Sequence, residues 1–210
     1  MKIKSVITIA LLALAVNLSA QVGIQAGYAN VNEVTKNTTL GVDASGAVNG
    51  FVVGPVSEYN LMQNLDLRFG VLYTLLLKST DNGALGTSTY SGHFVDVPVQ
   101  AQYSFEIAPS LKIFAFAGPT INFGLAQQTV TKTTVLGNEV KATINHYDDF
   151  NNDDKGDISR FDLKLGLGAG ARYDKFELRV GYDWGMLDMN TTDPIVLHRN
   201  QLTAAVVYHL

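Results

Sequence analysis

The residues of this chain that could do chemistry are four histidines, one acidic run and a regular array of charges. His93, with Ser91 two residues before it, and His198 have the residue types of an enzyme that acts on acyl chains. In such an enzyme imidazole takes the proton of a serine hydroxyl as it attacks a carbonyl carbon. His146 and His209 complete the set, and no acid stands at a spacing that turns any of them into a recognisable Ser–His–acid arrangement. The expectation is therefore no catalytic residue, with modification of lipid A as the enzymatic alternative.

The acidic run is "HYDDFNNDDKGD", residues 146–157, with five acids in twelve positions. A calcium loop of the EF-hand type needs oxygen ligands at positions 1, 3 and 5 and glycine at position 6. With Gly156 as the sixth residue, Lys155 takes the fifth and spoils the set. The run reads as a solvated external loop with no metal, and divalent bridging to lipopolysaccharide phosphates is its functional alternative. The chain has no cysteine, so disulfides, thiolate metal sites, a thiol nucleophile and acylation at an N-terminal cysteine are excluded. No glycine-rich phosphate loop or zinc spacing appears, and no cofactor is expected.

The third group of charges needs elements to hold it. The chain opens "MKIKSVITIALLALAVNLSAQ". Two lysines, an apolar run from Val6 to Val16 and a small-residue region before Gln21 form the pattern of a secretory signal peptide over 1–20. The apolar run is too short for a spanning helix, which needs about 20 residues. Cleavage would remove two of 15 basic residues and leave 13 against 19 acidic, a net charge of −6. That balance argues against nucleic acid as a partner.

Residues 21–210 read as one domain of eight period-2 segments, roughly 22–29, 50–60, 65–78, 93–105, 111–125, 160–173, 176–188 and 200–210. The links are alternately short (61–64, 106–110, 174–175) and long (30–49, 79–92, 126–159, 189–199), the long ones rich in Asn, Thr, Ser, Gly and Asp. Short periplasmic turns and longer external loops are what an up-and-down barrel in an outer membrane requires. The expected fold is an all-β, eight-stranded antiparallel transmembrane barrel.

A soluble lipocalin-like carrier would also alternate, with its apolar face turned inward. Three features favour lipid outside. Aromatics of the apolar phase gather at strand ends: Tyr59, Tyr103, Phe105, Tyr173, Phe176 and Tyr208 beside the short turns or the C-terminus, and Tyr28, Phe51, Phe123, Phe161 and Trp184 toward the long loops. Two such girdles belong at bilayer interfaces. The opposite phase carries Glu58, Asp66, Asp96, Asp162, Glu177 and Asp183 against Arg68, Lys78, Lys112, Lys164, Arg172 and Arg179. Enclosed, these must pair, because a lone buried charge is costly. Finally, residues 161–173 would reach roughly 40 Å at about 3.3 Å each, or roughly 28 Å of depth at a tilt of about 45°.

With Asp174-Lys175 as a two-residue turn, Tyr173 pairs with Phe176, Arg172 with Glu177, Gly170 with Arg179 and Gly166 with Asp183. Pro55, Pro98 and Pro119 fall inside strands and predict bulges there. The fifth strand is ambiguous in phase, since Phe114 and Phe116 share the phase of Lys112, Thr120 and Asn122. The final "QLTAAVVYHL" keeps one phase from Leu202 to Leu210 and resembles the C-terminal signal read by barrel-assembly machinery.

At "FVVGPVSEYNLMQNLDLRFGVLYT", "HFVDVPVQAQYSF", "IFAFAGPTINFGL" and "FELRVGYDWGM" the chain resembles the outer-membrane β-barrel domain family that includes PorT-like small barrels. The matching features are Glu58-Tyr59, Asp96 two before Pro98, Gly118-Pro119, and the run Arg179, Tyr182, Gly185. Asp96 stands where the family more often has Glu. The resemblance implies a bacterial outer-membrane location and fold more than an activity, with some PorT-like members linked to protein secretion. The expectation is a monomeric barrel in contact with outer-membrane lipid and lipopolysaccharide, its lumen plugged by charge and its four external loops free for a structural or interaction role.

Overall fold

The structure is a computed structural model that describes residues 21–83, 86–135, 138–148, 158–190 and 194–210. The expected signal peptide, 1–20, lies outside the described residues. Ten strands are described: β1 (Gln21–Asn37), β2 (Val42–Met62), β3 (Leu65–Gly70), β4 (Leu72–Asp81), β5 (Thr87–Ala108), β6 (Leu111–Val135), β7 (Asn138–Asn145), β8 (Phe161–Tyr173), β9 (Phe176–Gly185) and β10 (Ile195–His209). β3 and β4 are two halves of one barrel strand, since both pair with β2 on one side and β5 on the other. Eight antiparallel barrel strands then follow in sequence order, and β10 closes on β1 from Gly23 opposite His209 to Asn37 opposite Ile195. β7 pairs with the outer end of β6, outside the ring.

Three of the links are two-residue turns, and each contains one non-glycine residue of positive φ: Asn64, Ser110 and Asp174. Asn and Asp tolerate this backbone because their short polar side chains bond locally. Across the last turn β8 and β9 adopt the register expected from the sequence, with Arg172 opposite Glu177 and Gly166 opposite Asp183.

Alternation resolves into two surfaces. Leu165, Leu167, Leu178 and Val180 all point outward and are half-exposed or more, while Asp162, Lys164, Glu177 and Arg179 point inward and are buried. Hydrocarbon is the medium in which an outward leucine costs nothing and a closed ladder leaves no unpaired backbone. In β6 the inward phase carries Phe114 and Phe116, both buried, together with Thr120 and Asn122. Their rings fit because β8 and β9 present glycine there. A Cβ on Gly181 would sit 2.9 Å from the Phe116 ring, and one on Gly168 or Gly170 would also collide with a phenylalanine.

Two expectations are corrected. The prolines do not bulge. Pro119 stays in register opposite Leu165, and Pro98 opposite Thr120. Around Pro55 the pairs Val53–Tyr73 and Val56–Gly70 share one register. In an antiparallel strand one residue's N–H and C=O point the same way. Since Pro55 O accepts from Val71 N at 3.0 Å, its missing N–H also faces Val71, where the β3/β4 strand breaks. A lost donor interrupts the ladder without adding a residue. The register shifts lie elsewhere, at Asn60/Met62, His93/Phe94 and Glu106/Ala108.

The long links are also not simply loops. β1 and β2 stay paired from Gln21–Glu58 to Asn37–Val42, and β4 and β5 stay paired out to Asp81–Thr87. β6 and β7 form a further outer hairpin. Thr, Val and Tyr in these segments suit strands, and hydrogen bonds to a neighbouring hairpin outweigh the turn-forming Asn and Gly between them.

Candidate functional site

The lumen is filled in three layers. Nearest the short turns, Glu177 (0 % exposed) and Glu58 lie among three arginines. Arg68 Nη1 donates to Glu177 Oε1 at 2.6 Å and to Glu58 Oε1 at 3.4 Å, and its Nη2 donates to Gln25 at 2.7 Å. Arg172 donates to Glu177 Oε2 through Nε at 3.1 Å and Nη2 at 2.6 Å, and also pairs with Glu58. Arg179 Nη1 donates to Glu177 Oε1 at 2.9 Å and Nη2 to Gln100 at 3.0 Å. His209 Nε2 meets Glu177 Oε2 at 3.0 Å.

Ligand atoms of Glu58, Glu177 and His209 lie within 4.8 Å of one another, close enough for a metal. Three guanidinium groups already surround the two carboxylates, so a further cation would be repelled. The arrangement suits a stopper better than a metal centre.

In the middle layer Asp96 accepts from Thr74 at 2.7 Å, Asn122 at 2.8 Å and Lys164 at 3.3 Å. Lys164 also donates to Gln201 at 2.8 Å. Asp162 accepts from the Leu187 amide at 3.4 Å, and Asp183 from Thr120 at 3.4 Å. A cavity in this layer, lined in part by Gln25, Arg68, Asp96, Phe116 and Asp183, is about 50 Å³, space for a few waters.

The outer layer sits where β2 parts from β4. Their pairing stops at Asn49–Leu77, although both strands continue outward. Arg199 is 1 % exposed, and it donates to Glu33 Oε1 through Nε at 3.1 Å and Nη2 at 2.9 Å. Its guanidinium carbon lies 4.7 Å from the centre of the Phe94 ring. Tyr147, in the link after β7, folds back over Gly124 into this mouth and is capped by Arg160 at 4.2 Å from its ring. Burial pushes the Tyr147 phenol above its ordinary range, so it stays a protonated donor. Beside it His146 bonds Thr129 at 2.9 Å, and burial holds its imidazole below the usual histidine value, hence neutral.

The sequence-derived site residues fall as follows. Glu58, Arg68, Arg172, Glu177 and Arg179 meet in the inner layer, while Asp96, Asp162, Lys164 and Asp183 share the middle one. Asp66 and Lys112 line an open vestibule of about 260 Å³ at the short-turn end, and Lys78 lies at the outer cleft. Tyr59, Tyr103, Phe105, Tyr173, Phe176 and Tyr208 point outward at the short-turn end and Trp184 outward near the other. Two aromatic contacts tie neighbours together, Tyr103–Phe105 at 4.9 Å and Phe176–Tyr208 at 5.3 Å between ring centres.

The histidines are scattered. His93 pairs with Tyr73 at 2.5 Å on the outward face, His146 with Thr129 and His209 with Glu177. Of the acidic run, 149–157 lies outside the described residues.

The lumen network expected from the sequence does not include Arg199, Glu33, Tyr90, Tyr147 or His209, the last considered there only for catalysis. The first two fall in segments expected as loops, yet they continue the inward phase of their strands: Val31 then Glu33, and Arg199 then Gln201. That continuation was the available signal.

A closed, lipid-coated antiparallel barrel with a polar interior is an integral outer-membrane protein. The chain matches, over residues 14–190, the family described as outer membrane protein beta-barrel domain, and it belongs to that family. Its location is accordingly the bacterial outer membrane. Among solved structures it is similar to Neisserial surface protein A (16 % identity, TM-score 0.45, covering 91 % of this chain and 99 % of that one). It is also similar to Ail of Yersinia pestis (14 %, 0.38, 92 % and 100 %) and to the N-terminal barrel of Pseudomonas aeruginosa OprF (10 %, 0.32, 91 % and 100 %). No curated protein matches the chain.

Proposed function

We propose that this barrel is a non-conducting, non-enzymatic outer-membrane protein whose external hairpins form a binding surface. The observation that carries this reading is the combination of a sealed middle with paired strands that run on past it. β1 and β2 remain hydrogen-bonded to Asn37 and Val42, nine residues beyond the outer aromatics Tyr28 and Phe51. A merely structural barrel needs only short connections, whereas rigid hairpins hold side chains in fixed places outside the membrane.

Orientation follows the general rule that short turns face the periplasm. The aromatic ends act as interface girdles, lipopolysaccharide is the lipid in contact, and barrel-assembly machinery inserts the chain, which works as a monomer. The adhesin-like form of the reading is preferred to the secretion-accessory form because the outward hairpins, and not the periplasmic turns, carry the extra structure.

Two measurements test it. In planar bilayers the purified barrel shows no steady conductance; a wide, steady channel would refute the sealed lumen. Removing Thr35–Ala44, whose ends are paired, leaves the barrel folded but lowers attachment of barrel-bearing cells to glycan-coated surfaces. Unchanged attachment would refute a binding role for that hairpin.

A further inference from the structure

The outer mouth holds three buried polar atoms with no hydrogen-bond partner among the described residues: Arg199 Nη1, Tyr90 Oη and Tyr147 Oη. Buried polar groups are nearly always satisfied, so such a cluster needs an explanation. The three atoms belong to one place. Arg199 stacks on the Phe94 ring, Tyr90 Oη and that same ring both crowd the position of a Cβ on Gly92, and Tyr147 Oη lies over Gly124, the residue opposite Phe94. Tyr147 is near enough to Arg199 for the guanidinium to stabilise its phenol oxygen, without a fully formed hydrogen bond between them.

The chemistry of the three is shared. Arg199 Nη1 can only donate, and both phenols are available to donate. Glu33 already takes the other edge of the guanidinium. What is missing is an acceptor, and the strongest acceptor for a guanidinium edge flanked by hydroxyls is a carboxylate.

Space adjoins this point. Where β2 parts from β4, a cleft of about 270 Å³ opens outward, lined by Glu33, Lys78, Thr80, Ser88, Tyr90 and Thr129 among others. It is small for a ligand pocket and suits a single sugar ring. Its walls offer the hydroxyls of Thr80, Ser88 and Thr129, the Lys78 ammonium, the Tyr90 side chain and the Glu33 carboxylate that Arg199 neutralises, which are groups that hold a hydroxylated ring. Glu33 and Tyr90 line the cleft, while Arg199, bonded to Glu33, and Tyr147, capped by Arg160, do not, so a ligand reaches Arg199 only when side chains at the inner end turn aside.

We propose that the cleft between the first and second external hairpins binds a carboxylate-bearing sugar, its carboxylate received by Arg199, Tyr90 and Tyr147 and its hydroxyls by the hairpin walls. This deepens the reading of the hairpins as a binding surface and rests on it.

The test is calorimetric titration of the full barrel in nanodiscs with glucuronate, with glucose and inorganic phosphate as separate arms. Glucuronate binds, and glucose and phosphate bind at least about tenfold more weakly, the scale set by losing charge-assisted hydrogen bonds. The double variant Y90F/Y147F keeps both rings and folds, as its heat-modified gel mobility will report, and it binds glucuronate about tenfold more weakly or worse. R199Q abolishes binding. Absence of glucuronate binding by the wild-type barrel, equal binding by Y90F/Y147F, or glucose or phosphate binding as well as glucuronate would overturn the assignment. Those failures leave the hairpin reading standing if removal of Thr35–Ala44 still lowers surface attachment.

Discussion

At the inner end of the lumen Glu177 is met by Arg68, Arg172, Arg179 and His209, and both its oxygens are fully used. At the outer end Arg199 meets Glu33 and Gln127 and keeps one nitrogen unused beside two unused phenols. Both ends enclose arginine, carboxylate and aromatic rings, since Arg179 lies 4.1 Å from the Phe116 ring centre much as Arg199 lies over Phe94. The difference lies in what is left over: among these groups the inner network leaves only the His209 ring Nδ1 without a partner, whereas the outer one leaves a guanidinium nitrogen and two phenols. A closed network in a low-dielectric interior resists change, because removing any member strands a charge. An open one has donors to spare for something that arrives from outside.

The sharpest way to break this contrast is Glu177→Ala. It leaves Arg179 with no carboxylate and Arg68 and Arg172 with Glu58 alone, and should cost about 3–5 kcal/mol, read as a lower urea midpoint in a refolding titration. A small effect would mean that the inner network is not what holds that end together.

Leu167→Arg tests the wall between the two ends. Leu167 is the seventh of thirteen residues in β8 and points outward, so a charge near mid-depth should cost about 2–4 kcal/mol in the same titration. Gly168→Ala probes the packing above the inner network, where a Cβ meets the Phe116 ring and the Val180 carbonyl. Overpacking there should cost about 1–3 kcal/mol.

The smallest effect is expected at the mouth. Tyr147→Phe removes a buried hydroxyl that makes no fully formed hydrogen bond among the described residues, and unfolding should shift by no more than about 0.5 kcal/mol in either direction. A loss comparable to that of Gly168→Ala would show that the hydroxyl is structural and that the two ends are finished alike.

Much of the barrel could be read from the chain alone. The strict alternation of 161–173 and 176–185 separates leucine from charge, and the Asp174-Lys175 turn sets one register. Slipping by a single residue would have put Arg172 and Glu177 into lipid. The proline positions were legible but their consequence was not, because whether a missing N–H bulges a strand or only interrupts its ladder depends on which neighbour it faces. The phase of β6 was likewise open, since phenylalanine is equally at home against lipid and against a glycine-lined interior.

The residues by themselves determined that one face is apolar and the other charged, that the strands number eight, and that the lumen must neutralise itself. Those results follow from period-2 geometry and from the cost of an unpaired buried charge. Only the tertiary structure decided which charges meet. Glu58 and Arg172 are 114 positions apart and Arg199 and Glu33 are 166, and no local pattern records a contact made by closing a ring. Closure also lifted the hairpins beyond the membrane, and it left three donors waiting at the mouth.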